Sequence, residues 1–338
     1  MRGTALKWIK SYLTGRVQCV QVEDSVSTCL DFSCGVPQGS VLGPKLFILY
    51  INDIVKVSDV LKLILFADDT NILCSGTDLN QLVNLVNHEM SKLHMWFNIN
   101  KLSLNLLKTK FILFGKRGLN KSINLNVDDT MIERVNEHKI LGVTVDCLLT
   151  WKPHVKQIQG KIAKSVSILW KTQKLLNLPS LKTIYTALIT PHMQYCAEVW
   201  GHSYKGTLEP LVKLQKKALR IIYRVPYQAH TNDLFIKARF LKLHDIIKYN
   251  TLQLLFAASN NVLPTNIQNL FLLRDETLNL RGSIIYKQKL VHSTLRGHSL
   301  SIVGVKLWNS LNVEIKLSTN LKVFKHKIKC NMIEDYQA

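Results

Sequence analysis

The chain has 338 residues, of which 47% are hydrophobic, so it is long enough for one large globular domain or two ordinary ones. Its formal net charge is +21, and residues 1–150 carry 16 basic and 14 acidic side chains whereas residues 151–338 carry 28 and 9. A net charge of +19 in the second part favours a polyanion such as nucleic acid as partner, while secretion and membrane insertion are disfavoured because no uninterrupted apolar stretch approaches the roughly 20 residues that span a bilayer.

The first 146 residues show a mixture of helix and strand patterns. The segment from Gly43 to Lys56 has a proline in its first turn and apolar residues on nearly every face, which predicts a buried helix under a sheet. Two β-prone runs, 61–66 and 71–74, flank Ala67-Asp68-Asp69-Thr70 and predict a hairpin with the two acids exposed at its tip. Helical spacing over 79–97 follows, with Thr77 as the candidate cap. Strand-like segments then occur at 111–114, 123–127, 130–134 and 139–146, with Asp128-Asp129 as a turn.

After Trp151 the pattern becomes helical and basic. We predict helices over 156–175, 181–193 and 208–225, and a further helix over 234–254. Residues 261–300 look irregular, and 301–330 end in a lysine-rich segment. In the third helix one face is apolar and the other is basic, with four side chains that could contact phosphates: Lys213, Lys217, Arg220 and Arg224.

The cysteines point to a reduced, intracellular protein, in the nucleus or the cytoplasm. They are odd in number, scattered and mostly set in apolar strings, which predicts core positions: Cys19, Cys29, Cys34, Cys74, Cys147, Cys196 and Cys330. No Cys-x-x-Cys pair occurs, and the histidines do not supply ligands at zinc-finger spacing. We therefore expect no structural zinc.

Two motifs carry candidate chemistry. Asp68 and Asp69 place two carboxylates at a β-turn, and carboxylate oxygens are the ligands that Mg²⁺ prefers. Most Asp-Asp pairs are simply solvated turns, and Asp128-Asp129 fits that interpretation. The second motif is the loop Gly35–Pro44, in which glycines allow close backbone approach and Gln38 offers an amide at a helix entry, although such a loop is more often a plain connection.

In this order and spacing, the motifs resemble the signature of reverse transcriptases of non-LTR, LINE-type, jockey-like retrotransposons. The matching segments cover essentially the whole chain: WIKSYLTGR at 8–16, GVPQGSVLGPKLFILYINDI at 35–54, FADDT at 66–70, NKLSLNLLKTK at 100–110, KILGV at 139–143, WKPH at 151–154, LQKKALR at 214–220, LKLHD at 241–245 and LWNSL at 307–311.

The resemblance implies an RNA-directed DNA polymerase, a nucleotidyltransferase of the transposable-element type. The implied fold is α+β: a partial polymerase palm with an antiparallel sheet and packed helices at 1–146, a mostly helical basic thumb at 147–229, and a C-terminal region of unknown role at 230–338. Implied ligands and partners are Mg²⁺ or Mn²⁺, deoxynucleoside triphosphates, an RNA template, a DNA primer and the RNA/DNA hybrid, with no membrane.

The resemblance also assigns individual residues. Asp68 and Asp69 would be catalytic metal ligands, and Gln38 with Gly39 would lie beside the incoming nucleotide and template. Lys108 would lie near the triphosphate, although a plain surface lysine is an equally good reading. Leu141 and Gly142 would belong to the hairpin that grips the primer end. His154, His192 and Trp200 are interpreted as structural.

One departure from the family bears on activity. In the family, a strand ending in another catalytic aspartate precedes the segment that matches 8–16, and Met1 falls after that strand. We therefore expect this chain to be N-terminally truncated, without that aspartate, the fingers or the endonuclease domain, and inactive alone. The alternatives are a non-catalytic RNA- or hybrid-binding remnant of a mobile element and a decayed copy with no selected function.

Overall fold

The computed structural model describes residues 2–31, 35–115, 121–273 and 286–337. The chain divides into two compact units, and each unit consists of two separate segments of the chain. Unit 1 comprises 1–111 with 118–134, and unit 2 comprises 112–117 with 135–338. Both strands and helices are present, as the α+β prediction requires.

The helices and strands of unit 1 are, in chain order, α1 (Gly3–Leu13), β1 (Val17–Gln18), β2 (Gln21–Val22), β3 (Ser25–Val26), β4 (Leu30–Asp31), α2 (Gly43–Tyr50), a 3₁₀ turn (Asn52–Lys56), β5 (Lys62–Phe66), β6 (Asp69–Leu73), α3 (Leu79–Ile99), β7 (Lys110–Phe111), β8 (Leu125–Val127) and β9 (Thr130–Arg134). Three antiparallel pairs join β1 to β4, β2 to β3 and β5 to β6. In the three-stranded sheet β7-β9-β8, β7 runs parallel to β9. The sheets are therefore small, and they are not all antiparallel.

The core of unit 1 lies between α3, the β8–β9 hairpin and one face of the β5–β6 hairpin. Its fully buried members are apolar: Ile54, Leu61, Met90, Leu93, Val127 and Ile132. Leu63, Leu65 and Ile72 pack on this cluster from β5 and β6, whereas Ile64 and Phe66 on the opposite face are exposed. The alternation of strand side chains thus gives the hairpin one core face and one open face.

Several predictions for unit 1 need correction. The helix over 43–56 is an eight-residue α-helix followed by a 3₁₀ turn, and it is not buried, because Ile48, Leu49 and Tyr50 are exposed. The cap of α3 is Asp78, whose carboxylate accepts the Gln81 backbone N–H at 2.8 Å, rather than Thr77. Asp78 occupies the position from which a side chain reaches the third helical N–H.

The prediction of core cysteines is wrong for Cys19 and Cys29 and holds in part for Cys74 and Cys196. Cys19 and Cys29 are exposed, and the four others are half-buried: Cys74, Cys147, Cys196 and Cys330. Cys34 lies outside the described residues. Cys74 packs against the core of unit 1 and Cys196 against that of unit 2, whereas Cys19 and Cys29 lie in a hairpin whose residues are all exposed.

Unit 2 begins with a β-hairpin and continues as helices: β10 (Glu137–Ile140), β11 (Val143–Asp146), α4 (Lys152–Thr172), α5 (Leu178–Leu188), α6 (Thr190–Gln194), α7 (Ala197–Trp200), α8 (Lys205–Tyr223), α9 (Asn232–Ala238), α10 (Leu243–Ser259), α11 (Thr265–Gln268), α12 (Thr294–Gly297), α13 (Leu300–Asn309), α14 (Val313–Lys316) and α15 (Leu321–Glu334). The strand predicted at 139–146 is thus two strands, and the helix predicted at 234–254 is interrupted at Arg239, which has a left-handed backbone. No described helix is long and apolar enough to cross a membrane.

One continuous apolar core runs through unit 2 from α4 to α15. Its largest fully buried side chains are Trp200, Trp308, Tyr185, Tyr286, Phe235 and Phe324. The segments predicted as thumb (147–229) and C-terminal region (230–338) both contribute to it, since Phe256 of α10 stacks on Phe324 of α15 at 4.2 Å and Tyr185 stacks on Phe240 at 4.6 Å. The three-part division by function stays a prediction.

Tyr195 clamps the turn of the β10–β11 hairpin. Leu141 and Gly142 form this two-residue turn with φ of +44° and +86°, a geometry typical of tight hairpins. The Tyr195 hydroxyl donates to the Leu141 carbonyl at 2.6 Å, and a Cβ added at Gly142 would lie 3.2 Å from the Tyr195 ring. Glycine is therefore required here by both backbone conformation and packing.

Histidine 154 joins the same hairpin to α4. Its Nδ1 accepts the Thr144 backbone N–H at 3.2 Å, and Thr144 Oγ1 donates to Gln157 Oε1 at 2.9 Å. Because Nδ1 is an acceptor, the proton lies on Nε2, which has no hydrogen-bond partner among the described residues and belongs to a ring packed edge-on to Trp200 at 5.6 Å. His154 and Trp200 are thus structural, as predicted.

We predict that Gly142→Ala destabilises unit 2 by about 1–2 kcal/mol, because alanine pays the left-handed backbone penalty and also presses on Tyr195. Gly160→Ala is the matched control: Gly160 lies within α4, and an added Cβ meets no atom of another element within 4 Å. That change should stabilise by about 0.5–1 kcal/mol. Urea denaturation of both variants measures the difference, and equal midpoints would contradict the assignment.

We predict that unit 2 loses stability in mild acid. Burial, helped by the charge of Lys161, lowers the pKa of His154 from 6.5 to about 4. Between these two pKa values the folded state binds fewer protons than the unfolded state. The contribution of neutral His154 to the free energy of unfolding is therefore fully present above pH 6.5 and is lost as the pH falls through about 4.

The test is thermal denaturation followed by circular dichroism across that pH range. His154→Asn keeps an acceptor for Thr144 but cannot be protonated, so its melting temperature should fall less steeply with acid than that of the wild type. His244→Gln, at an exposed position, should follow the wild-type curve. A wild-type curve that is flat between pH 6.5 and 4 would rule out this role for His154.

Candidate active site and basic surface

The hairpin tip presents two unpaired carboxylates. Asp69 is the first residue of β6 and pairs with Phe66, so Ala67 and Asp68 form the two-residue turn, with Ala67 at φ +50°. Both carboxylates are exposed, and neither receives a hydrogen bond or ion pair from the part of the chain that the structure describes. The predicted hairpin and its exposed acids are therefore present.

The second Asp-Asp pair has a different environment. Asp128 lies in the β8–β9 turn at φ +51° and forms an ion-pair contact of 2.5 Å with His94 Nδ1. Asp129 is exposed. Asp128 is thus tied to α3, whereas the pair at 68–69 is left without a protein partner.

As a metal site the tip is incomplete within the described residues, since no group of three or more His, Cys, Asp or Glu side chains comes together there or elsewhere in them. Magnesium takes about six oxygen ligands and usually retains several waters, so two carboxylates supply only part of its coordination. The ligand type fits a hard cation, because an ionised carboxylate offers oxygen acceptors and no donor.

Serine 40 fixes the predicted nucleotide loop from inside. Its Oγ accepts the Gly43 backbone N–H at 3.0 Å and the Tyr12 hydroxyl of α1 at 2.5 Å, while its own N–H donates to Pro37 O at 3.4 Å. A Cβ at Gly43 would lie 3.0 Å from the same oxygen. Sequence analysis missed Ser40, although a serine three residues before the first helical residue is a usual position for such a contact.

Glycines give this loop its shape. Gly35 and Gly39 have φ of +91° and +79°, so both need the left-handed region that glycine tolerates. Gln38 and Gly39 are exposed, and no atom of the described residues lies within 4 Å of a Cβ added at Gly39. The loop therefore offers an open backbone surface at the entry of α2.

The two lysines before β7 differ in their contacts. Lys110 forms an ion pair with Glu133 of β9. Lys108 is exposed, its backbone N–H donates to Asn105, and its ammonium group has no partner among the described residues. Lys108 is therefore available to an anionic ligand, whereas Lys110 is engaged.

The basic face predicted on α8 divides into free and engaged cations. Lys213 and Lys217 are exposed without a partner in the described part of the chain. Arg220 donates to the Ala229 carbonyl at 3.0 Å and stacks over Tyr227 at 5.3 Å. Arg224 follows the helix in a left-handed conformation and donates to the carbonyls of Gln173 and Leu176 at 2.6 and 2.9 Å.

Sequence analysis missed a second basic surface on α4. This helix packs against α8 and has five lysines and no acidic residue, all five of them exposed: Lys152, Lys156, Lys161, Lys164 and Lys171. Its buried face carries Ile158, Ile162 and Leu169. The helical spacing of its lysines could have indicated this surface.

The comparisons with known proteins agree with the motifs. Residues 2–145 match the family described as reverse transcriptase (RNA-dependent DNA polymerase). The chain is 29% identical over 250 residues, which is 70% of its length, to the RNA-directed DNA polymerase from mobile element jockey of Drosophila melanogaster. It is 29% identical over 223 residues, 63% of its length, to the probable RNA-directed DNA polymerase from transposon X-element of the same species.

A more distant relative is the retrovirus-related Pol polyprotein from type-1 retrotransposable element R1 2 of Nasonia vitripennis, with 27% identity over 49% of this chain and 43% of that protein. The chain spans about a quarter of the length of the jockey and X-element relatives, at 27% and 24%. No solved structure matches. Residues 2–145 are therefore similar to the reverse transcriptase (RNA-dependent DNA polymerase) family, and about 70% of the chain is similar to RNA-directed DNA polymerases from jockey and related mobile elements.

Proposed function

We propose that this chain is the polymerase portion of an RNA-directed DNA polymerase, and that Asp68 and Asp69 are its metal-binding carboxylates. The observation that carries the proposal is the exposed pair at the β5–β6 turn, which has no partner among the described residues and lies within the segment matched by the reverse transcriptase family. Two adjacent ionised carboxylates repel each other, so a divalent cation between them is favourable.

When bound, Mg²⁺ or Mn²⁺ would stabilise the negative charge that develops on the attacking hydroxyl and on the leaving pyrophosphate. The short turn would hold both carboxylates in place around the cation, so they need not reorganise as that charge develops. The ammonium group of Lys108 would interact with the triphosphate and could donate a proton to the departing pyrophosphate. Gln38 and Gly39 would line the position of the incoming deoxynucleotide and the template base through exposed amide groups.

We propose a separate role for the β10–β11 turn. Leu141 and Gly142 would contact the end of the DNA primer, as the family resemblance implies. The Tyr195 ring packs closely against one side of Gly142, so the primer would contact the other side of the turn. Leu141 is partly exposed, which leaves its side chain available.

The isolated 338-residue polypeptide should be inert or nearly inert in primer extension. Two-metal transfer needs carboxylates that converge from separate strands, and the described residues bring no third acid to the tip. Positioning and charge stabilisation supply nearly all of the catalysis in phosphoryl transfer, so the rate should be lower by many powers of ten.

The measurement is extension of a DNA primer on an RNA template with Mg²⁺ or Mn²⁺. It compares this polypeptide with a longer one that carries, ahead of Met1, the aspartate-bearing strand segment of a jockey polymerase. In the longer polypeptide Asp68→Asn and Asp69→Asn should abolish extension, while Asp129→Asn at the other Asp-Asp turn should retain it. Robust extension by the short polypeptide that Asp68→Ala abolishes would refute the inertness, and extension by the longer one that survives both substitutions would refute the site.

A second candidate function is binding of RNA or RNA/DNA hybrid without catalysis. The net charge of +19 on residues 151–338 favours this function, because basic side chains bind the phosphates of nucleic acids. Lys213 and Lys217 would make the phosphate contacts, and the exposed lysines of α4 extend the basic surface. Arg220 and Arg224 would add charge while their guanidinium groups keep their contacts with backbone carbonyls. Binding without extension by the longer polypeptide would favour this second function.

We predict that affinity for a hybrid duplex falls steeply with salt, because each neutralised phosphate releases counterions. The double variant Lys213→Gln/Lys217→Gln should bind more weakly at every salt concentration, and the slope of log affinity against log salt should be shallower by about 2. Lys306→Gln, an exposed lysine on α13, is the matched control and should bind like the wild type. Fluorescence anisotropy at several salt concentrations measures all three, and salt-insensitive binding would contradict the prediction.

A further inference from the structure

Two thiols that are ten residues apart in sequence lie opposite each other in the N-terminal hairpin of unit 1. The β1–β4 pair has Val17 opposite Asp31 and Gln18 opposite Leu30. One further step in the same register places Cys19 opposite Cys29. The two thiols interact: a hydrogen bond with Cys19, and then the charge of Cys19, raise the pKa of the Cys29 thiol.

Directly opposed residues of antiparallel strands have Cα atoms about 4.5 or 5.5 Å apart. A disulfide requires about 4.4–6.8 Å. The register is held beyond the thiols as well, because Val20 and Ser27 exchange hydrogen bonds of 2.9 Å in which the Val20 N–H donates to Ser27 Oγ and the Ser27 N–H to Val20 O. Thr28 is the extra residue of a bulge between these two sets of contacts. The spacing expected from this register is therefore compatible with a crosslink.

The described residues give this hairpin little other stabilisation. Every residue from 17 to 31 is exposed, so the paired strands bury no apolar core. An isolated two-stranded hairpin is marginally stable in water. A covalent bond between its strands would therefore decide whether the segment is ordered, and both thiols are open to an oxidant.

We propose that Cys19 and Cys29 form a reversible disulfide, and that a low-molecular-weight disulfide of the glutathione type oxidises them. The thiolate of one cysteine attacks oxidised glutathione, which gives a mixed disulfide and releases one glutathione thiolate. The thiolate of the other cysteine then attacks the protein sulfur of that mixed disulfide and releases the second. One disulfide is consumed and one is formed, and the two protons of the cysteines end on two glutathione thiols.

Oxidation would order the segment that leads into the Gly35–Pro44 loop, whose first residue lies four positions after Asp31. Reduction would leave it to open and close. The proposal does not depend on catalysis, since it concerns only the hairpin and its two thiols.

The first test equilibrates the 338-residue chain in glutathione buffers of increasing oxidised fraction, blocks free thiols with iodoacetamide and maps the peptides by mass spectrometry. A Cys19–Cys29 linked peptide, lighter by two hydrogens than the two reduced peptides together, is expected, with loss of alkylation at both positions. Cys19→Ser and Cys29→Ser should each remove it, and Cys330→Ser should leave it. Full alkylation of both thiols in the most oxidising buffer, stable glutathione adducts without a crosslink, or linkage to Cys34 instead would overturn the proposal.

The second test measures amide hydrogen exchange over residues 17–31. Exchange in the oxidised wild-type chain should slow by about tenfold or more relative to the reduced chain. Cys19→Ser should exchange at the reduced rate in both buffers, which separates an effect of the bond from an effect of the buffer. Equal exchange in the two wild-type states would show that the bond does not order the hairpin.

Discussion

The buried amide of Gln215 fixes how α8 packs, and the rest of unit 2 is arranged around that helix. Gln215 is fully buried, and its Nε2 donates to the Tyr185 hydroxyl and to the Leu241 carbonyl, each at 2.9 Å. Its Oε1 accepts the Leu243 backbone N–H at 2.9 Å. These three bonds tie α8 to α5 and to the start of α10. An unsatisfied buried amide costs about 1–3 kcal/mol, so one rotation of α8 is strongly preferred.

That rotation determines which cations of α8 face water. With Gln215, Ala218 and Leu219 buried, Lys213 and Lys217 point outward. The arginines serve the fold instead: Arg224 covers two carbonyls after the C-terminus of α4, which are otherwise left without intrahelical donors. The basic face of α8 thus contains both side chains that are free to bind phosphate and side chains that donate to backbone carbonyls of neighbouring segments.

Unit 1 is stabilised in a different way. Its core cluster is small, and the β5–β6 hairpin contacts it through one face only, while Ile64 and Phe66 stay exposed on the other. The short turn at Ala67 and Asp68 nevertheless gives the carboxylates a defined position, because a two-residue connection leaves the backbone little freedom. Likewise the Gly35–Pro44 loop is shaped by positive φ at two glycines and by the Ser40 oxygen.

The sequence by itself determined the α+β class, the hairpin that carries Asp68 and Asp69, the helical second part and the similarity to reverse transcriptases, because these follow from local periodicity, turn residues and contiguous motifs. It did not predict the exposed side of α2, the anchoring of Ser40 by Tyr12, or the break at Arg239. Only the tertiary structure decided that Tyr195 fills the space beside Gly142, that Arg220 and Arg224 bind carbonyls, and that Cys19 faces Cys29. The physical reason is that each of these contacts joins residues distant along the chain, and strand register, helix rotation and packing decide which of them meet.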